Sequence, residues 1–361
     1  MLETYSKIIE DHEKRGFIER LDVDLEKPVE GYFLTHHPVH KNSLTSPIRI
    51  VFNASFNTSK EFVSLNECLE KGPSLITDIV NLLLNFRFND IGIVSDIEKM
   101  FHMIGLHESH RKYARFIWLE NSSDPNSKLI VYQFLVILFG TKSSSFVSIA
   151  TVLKHLNLNP CDISDIIKRK MYVDNIINTV KTKIDAIKFY KISREIFKTG
   201  NFNLRCFASN CQDLNVLAAS ENAVEGNLDS VSILGLKWNC FSDIISLNKI
   251  KFEDSEILTK RIVLSIISKL YDPLGFMNPI IMRGKIYMQT SENPELLKKK
   301  PFLTLDQYLI ITQIQNQINL IIYHIDNILN YLLIFNCFFT FNLIHDYSDS
   351  SILNPFRNIM F

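Results

Sequence analysis

Glycine and proline are scarce, eleven of each in 361 residues, which excludes collagen-like and low-complexity architectures. Cysteine is scarce as well. The six, at positions 68, 161, 206, 211, 240 and 337, are scattered, and Cys206 and Cys211 lack the short gap and second pair of a zinc knuckle, so a reduced intracellular protein is expected. Net charge is absent, with 39 basic against 39 acidic side chains. The opening MLETYSKIIEDHEKRGFIERL is charged and helical in rhythm, with no apolar core ahead of a small-residue cleavage site; no secretory signal is expected, and the location expected is cytoplasmic or nuclear. What is present is apolar: 46% hydrophobic residues, including 26 Phe and 12 Tyr, too many for a disordered chain and enough for two or three subdomains.

The charge is uneven. Residues 301–361 carry Asp306, Asp326, Asp346 and Asp349 against Arg357, which leaves residues 1–300 with three more basic than acidic side chains. So weak a bias neither requires nor excludes a polyanionic partner. The same tail is dense in Ile, Leu, Phe and Asn, and Asn327 to Ile344 is free of charge. That is long enough for a membrane span, but Asn327, Asn330, Asn336 and Asn342 interrupt it and no basic flank or Trp anchors it. A core helix or an aberrant tail is the expectation.

Periodicity orders the rest. Residues 1–30 read as a charged helix and linker, and Tyr32 to Phe56 as strands and turns around Pro38 and Pro47. After Pro73, apolar residues at 75, 76, 79, 80, 83 and 84 predict a helix. IGIVSDIEKMF (91–101) is an apolar run ending on Ser95 and Asp96, ARFIWL and KLIVYQFLVI form a hairpin, and SSSFVSIATVLKHL predicts a serine-capped helix after Phe139-Gly140. KRKMYVDNIINTV places two β-rich runs on either side of Asp174-Asn175. An amphipathic helix closed by Gly200 follows, then strands in FNLRCFAS and VSILGLKWN, then two helices joined at Asp272–Gly275.

Asp96, at the end of an apolar strand, and Asp174, at a hairpin tip 78 positions later, are the residues that could carry chemistry. Strand-end carboxylates that meet in space make a hard-oxygen site, and Mg²⁺ favours few carboxylates together with phosphate oxygens and water. Such a pair can activate a hydroxyl and stabilise a leaving pyrophosphate. The plainer reading is that each is a solvated turn residue.

The order of the surrounding segments decides between them. HHPV (36–39), IRIVFNAS (48–55), LNECLEKGPSL (65–75), SDIEKMF (95–101), FGTKSS (139–144), YVDN (172–175), FNLRCFASN (202–210), ILGLKW (233–238) and LSIISKLYDPLGFMNPI (264–280) together resemble the reverse transcriptases of Pao/BEL-type LTR retrotransposon polyproteins. The resemblance runs from Tyr32 to Tyr287. It implies an α+β right-hand polymerase fold: an N-terminal helix and linker (1–30), a fingers-like segment (31–90), a palm with a fingers insertion (91–242), thumb-like helices (243–300) and a divergent Ile/Asn-rich tail (301–361). It implies RNA-directed DNA polymerase activity, with Mg²⁺, or Mn²⁺ in its place, on an RNA or DNA template with primer and deoxynucleoside triphosphates. Asp96 and Asp174 would be the catalytic metal ligands. Arg49, Phe101, Phe139 and Gly140 would bind the nucleotide: Arg49 through the triphosphate, Phe101 against a 2′-hydroxyl, and Phe139-Gly140 beside the nascent base pair. Leu234 and Gly235 would belong to the primer grip, Trp238 to the core, and Lys168, Arg169 and Lys170 either to phosphate contacts or to a solvated face.

Two amides depart from the family pattern: Asn175 stands where a second hairpin Asp is usual, and Asn53 where the fingers carry an Asp. A unit charge about 4 Å from an ion is worth about 4 kcal/mol at an effective dielectric of about 20, or about a thousandfold in rate. No protease is expected before the fingers and no ribonuclease H or integrase region after the thumb-like segment, as in a truncated, partly degenerate element. The alternative to an active polymerase is thus an inactive remnant that keeps the fold and binds nucleic acid weakly. A membrane-associated protein built on 327–344 is a third, weaker reading.

Overall fold

In the computed structural model, the residues described are 2–27, 29–40, 48–57, 59, 61–124, 126–247 and 260–269, with 271–275, 277, 278, 281, 282 and 285. The tail from 301, with the 327–344 segment and Cys337, lies outside them, as does most of the second helix expected after Asp272.

The chain opens with α1 (Leu2–Lys14), whose buried residues Tyr5 and Ile9 are one turn apart. Part of the expected linker is a strand, β1 (Ile18–Leu21). β2 (Thr35–His40) and β3 (Ile48–Asn53) form the expected strand pair, in register from Thr35↔Asn53 to His40↔Ile48. α2 (Leu65–Cys68) is a single turn closed by a reciprocal capping box between Ser64 and Glu67. α3 (Ile79–Phe86) starts later than the apolar periodicity because the Asp78 carboxylate accepts the Asn81 N–H at 2.6 Å, fixing the first turn there.

β4 (Ile91–Ile97) follows, then a 3₁₀ turn at Met100–Met103, α4 (Glu108–Arg111), and the expected hairpin of β5 (Arg115–Leu119) and β6 (Leu129–Phe134). α5 (Ser144–Leu158) forms without the serine cap: Ser143 makes no capping bond, and the Ser144 hydroxyl donates to the Leu138 carbonyl instead. α6 (Asp162–Lys170) includes the basic run 168–170, which is helix and not strand, so β7 is only Met171–Tyr172, followed by β8 (Asn175–Val180). α7 (Lys183–Thr199) ends as expected at Gly200, for a different reason. The left-handed residue is Asn201, at φ 61°, while a Cβ on Gly200 would lie 2.8 Å from the His155 ring. Then come β9 (Leu204–Ser209), α8 (Gln212–Ser220), β10 (Val231–Ile233), β11 (Leu236–Asn239), β12 (Ile244–Ser246) and α9 (Lys260–Lys269).

The described residues divide into two compact units, one from 1–77, 97–174 and 191–204, the other from 78–96, 175–190 and 205 onward. The first holds the sheets β1-β6-β5 and β2-β3. Its core joins Tyr5 and Ile9 to Ile18, Phe116, Tyr132 and Phe134, and each such side chain removed from water contributes about 1.5–3 kcal/mol. Tyr5 stacks on Trp118 at 4.5 Å and its hydroxyl meets His36 Nδ1, while His36 Nε2 lies 3.0 Å from the Ile117 carbonyl. A carbonyl can only accept, so His36 donates from Nε2 and accepts from Tyr5; burial holds its pKa down, in keeping with a neutral ring.

The second unit packs Leu83 and Phe86 of α3 against Val94, Ile177, Ala208 and Trp238. Trp238 is 0% exposed, a core residue as expected, and its indole N–H donates to Asp243 Oδ1 at 2.9 Å. Asp243 also accepts Arg87 Nη1 at 2.6 Å. In this unit the strands run in the order β8-β4-β9, with β4 central. The unbroken apolar run of β4 reflects this central position: Gly92 to Ser95 are all buried.

Candidate active site

In the second unit, β4 and β8 pair antiparallel from Ile91↔Val180 to Asp96↔Asn175. Asp96 therefore sits where the buried run ends and is half-buried. Arg205, at the start of β9, approaches it: Nε lies 3.6 Å from Asp96 Oδ1, and Nη1 lies 3.1 Å from Glu225 Oε2. The neighbouring Cys206 thiol donates to the same Glu225 oxygen at 3.2 Å. Burial, together with the negative charges of Asp96 and Glu225, pushes the Cys206 pKa up, so the thiol stays protonated. Arg205 is a site residue that spacing alone did not single out. The signal was present in FNLRCFASN, but a strand Arg declares nothing until a carboxylate is set beside it.

In the first unit, Asp174 follows Val173, which is held at φ 54°, a strained value for a β-branched residue. The Asp174 carbonyl accepts the Ile97 N–H at 2.8 Å. The hairpin tip is thus tied at the backbone, and the carboxylate is carried on a two-residue turn whose next residue is Asn175.

The four expected nucleotide-binding residues converge in the same unit. Phe101 is buried and meets Phe139 edge to face at 5.2 Å, and the Arg49 guanidinium lies over the Phe139 ring at 4.5 Å. Phe139 is nonetheless 54% exposed, an aromatic surface held by an edge-to-face contact with Phe101 and by a cation over its face. Gly140 adopts φ 99°, which other residues rarely reach, although a Cβ there would make only ordinary contact with the Phe52 carbonyl. Asn66 holds this turn: its amide donates to the Gly140 carbonyl at 3.3 Å and its oxygen accepts the Lys142 N–H at 2.7 Å. Asn66, in the LNECLEKGPSL segment, was not singled out from sequence because its partners lie more than 70 positions away.

Leu234 and Gly235 form the two-residue turn between β10 and β11, both at positive φ, 46° and 89°. A Cβ on Gly235 would lie 2.5 Å from the Tyr271 ring. Lys168 pairs with Asp165 at 2.9 Å, and burial lowers the pKa of Lys170. Asn53 has a local role, its side chain accepting the Ser55 N–H at 3.0 Å. The five described cysteines are free thiols.

Among the described residues no three His, Cys, Asp or Glu side chains cluster as a full protein cage for a metal would require. Mg²⁺ does not require one. Asp96 offers hard carboxylate oxygens, whereas the neutral Asn175 opposite in register adds no charge and Arg205 sets a positive one 3.6 Å away. Among the described residues no helix is long and apolar enough to cross a membrane.

Residues 259–330 match the family described as Pao retrotransposon-like RNaseH-like domain. The chain is retroelement-related. The matched stretch begins inside the segment expected to be thumb-like (243–300) and runs on into the tail. No curated protein is similar in sequence. The fold is similar to that of the foamy viral protease-reverse transcriptase in three solved structures, each at a TM-score of 0.58. One, titled dRH and in complex with double-stranded DNA, is 14% identical, with 86% of this chain and 46% of that chain covered. A second, with an RNA/DNA hybrid, is 14% identical at 88% and 36%, and a third, with double-stranded DNA, is 15% identical at 88% and 56%. The chain thus spans roughly a third to somewhat over half of those proteins, and at these identities the likeness is one of fold.

Proposed function

We propose that this chain is the reverse transcriptase domain of a Pao/BEL-type retroelement polyprotein, an RNA-directed DNA polymerase with fingers-like (31–90), palm (91–242) and thumb-like (from 243) segments. The observation that carries the reading is the register of β4 with β8. It ends at Asp96↔Asn175, so that the carboxylate of a central strand comes opposite the residue next to Asp174, within a fold similar to a viral reverse transcriptase. Asp96 and Asp174 would hold Mg²⁺, or Mn²⁺, which when bound supplies charge for the attacking 3′-hydroxyl and the leaving pyrophosphate. The chain's own residues do the positioning. Arg49 is held over Phe139 and presents its fork of donors to phosphate oxygens. The exposed Phe139 ring offers a face to a base, and Phe101, wedged under it, limits the room for a 2′-hydroxyl. The partners are a primed RNA or DNA template, a reading supported by the double-stranded DNA and RNA/DNA hybrid in the foamy viral complexes, and deoxynucleoside triphosphates.

A second reading, an inactive remnant with weak nucleic-acid binding, is favoured by two features: the neutral Asn175, and Arg205 at 3.6 Å from Asp96, where its charge competes with a metal ion. Primer extension on poly(rA)/oligo(dT) by the full chain, with Mg²⁺ and then Mn²⁺, separates them. Incorporation that Asp96→Ala abolishes upholds the polymerase; silence in both metals from folded protein upholds the remnant.

A further inference from the structure

Arg205 stands between two carboxylates of the second unit. Its Nε lies 3.6 Å from Asp96 Oδ1, and its Nη1 lies 3.1 Å from Glu225 Oε2. The first contact is Coulombic, whereas the second is at the distance of a charge-assisted hydrogen bond. The tip of the guanidinium is thus seated on Glu225 while its Nε edge still faces Asp96.

The local backbone builds this seat. Cys206 takes φ 53° within β9, a left-handed kink that interrupts the in-and-out alternation of a strand. Arg205 and Cys206, adjacent in sequence, accordingly reach the same Glu225 oxygen, the thiol at 3.2 Å. The segment carrying Glu225 is tied to the same strand one residue further on, where the Phe207 N–H donates to the Ala223 carbonyl at 2.8 Å. The Glu225 side chain is 61% exposed against 35% for those of Arg205 and Asp96. Being the better solvated carboxylate, it can receive the guanidinium without trapping it. Two carboxylates and one guanidinium sum to one negative charge. A divalent cation at Asp96 reverses that sign, and the guanidinium is then repelled from Asp96 and drawn to Glu225.

We propose that Arg205 is a counter-ion with two seats: it neutralises Asp96 in the metal-free chain and settles on Glu225 when Asp96 takes a divalent cation. Glu225 is thereby a positioning residue for the cation site and acts through Arg205. The proposal rests on the reading of Asp96 as a metal ligand; neither Asp174 nor turnover takes part in it. A carboxylate acting directly on the ion would help with or without Arg205, whereas Glu225 helps only by drawing Arg205 away.

The test is Mn²⁺ binding to the full chain, followed by loss of the aqueous Mn²⁺ electron paramagnetic resonance signal, with Asp96→Asn defining the site by difference. Arg205→Gln should tighten Mn²⁺ there by about tenfold or more, through removal of one partly screened charge. Glu225→Gln should weaken it by about fivefold, the scale of one partly exposed ion pair. The double variant Arg205→Gln/Glu225→Gln should match Arg205→Gln alone, because no guanidinium is left to draw away. Circular dichroism checks the fold, and if Arg205→Gln fails to fold, Arg205→Met, which keeps an apolar stem, takes its place in both comparisons. An affinity indifferent to Arg205, or a Glu225 effect that survives in the double variant, overturns the two seats and leaves Asp96 a ligand. A chain in which neither the parent nor Arg205→Gln has a site that Asp96→Asn removes overturns the proposal together with that reading of Asp96. The expected pattern in a protein silent in primer extension upholds the two seats and counts only against the polymerase.

Discussion

Asn175 exchanges a charge for a dipole opposite Asp96. An amide oxygen can still face a cation, but it cannot neutralise one, and Arg205 already supplies positive charge at 3.6 Å. Asn175→Asp is therefore expected to raise the single-turnover rate of nucleotide addition, by up to about a thousandfold if the full Coulombic interaction is recovered. A rate equal to or below that of the parent would count against a carboxylate deficit at this position. Phe101 yields a prediction of a different kind because the role proposed for it is one of shape. Buried and set edge-on to Phe139 at 5.2 Å, it cannot move aside for a 2′-hydroxyl. Phe101→Ala should admit ribonucleotides and narrow the ratio of deoxynucleotide to ribonucleotide incorporation by about tenfold or more, the scale of one steric contact; an unaltered ratio removes Phe101 from the site.

The strand that presents Asp96 depends on a residue four positions earlier. Gly92 donates to Asn210 Oδ1 at 2.9 Å and accepts from the Ser209 hydroxyl at 2.6 Å, and a Cβ there would lie 2.5 Å from the Phe86 ring and 3.2 Å from that of Trp238. Both rings are almost fully buried and have no room to swing away. Gly92→Ala should cost about 1–3 kcal/mol, the usual penalty of overpacking, read as a lower urea midpoint; a change below about 0.5 kcal/mol, the ordinary range for substitutions away from such features, would show that α3 shifts freely. The elements themselves were largely legible: the unbroken apolar run IGIVSDI marked a buried strand, and the 3.6-residue rhythm marked α3, α5 and α7. What periodicity could not supply was the partner of each polar side chain. Asp78 shortened α3, Ser144 took over from Ser143, and Asn201 took the left-handed role ascribed to Gly200, because hydrogen bonds and neighbouring rings, not propensity, set those ends. Asn66 and Arg205 were missed for the same reason, each acquiring its role from residues distant in sequence.

At the scale of the molecule, neutral overall charge conceals a local arrangement of half-buried imidazoles. His12, His36 and His102 all lie in the first unit and all have their pKa lowered chiefly by burial, that of His102 to about 4. The unfolded chain, with histidines near 6.5, takes up protons at a higher pH than the folded one. Stability from these groups is therefore present above about pH 6.5 and is lost as pH falls toward 4, with His102 alone worth about 3 kcal/mol over that window. Carboxylates held low by their partners, such as Asp11 beside Arg15, contribute a separate loss below the ordinary carboxylate range. Urea midpoints at pH 7.5, 5.5 and 4.5 should fall steadily in the parent and less in His102→Gln, with the two curves converging toward acid. Parallel curves for parent and variant would mean that water reaches His102 freely and that the acid sensitivity of the fold arises elsewhere.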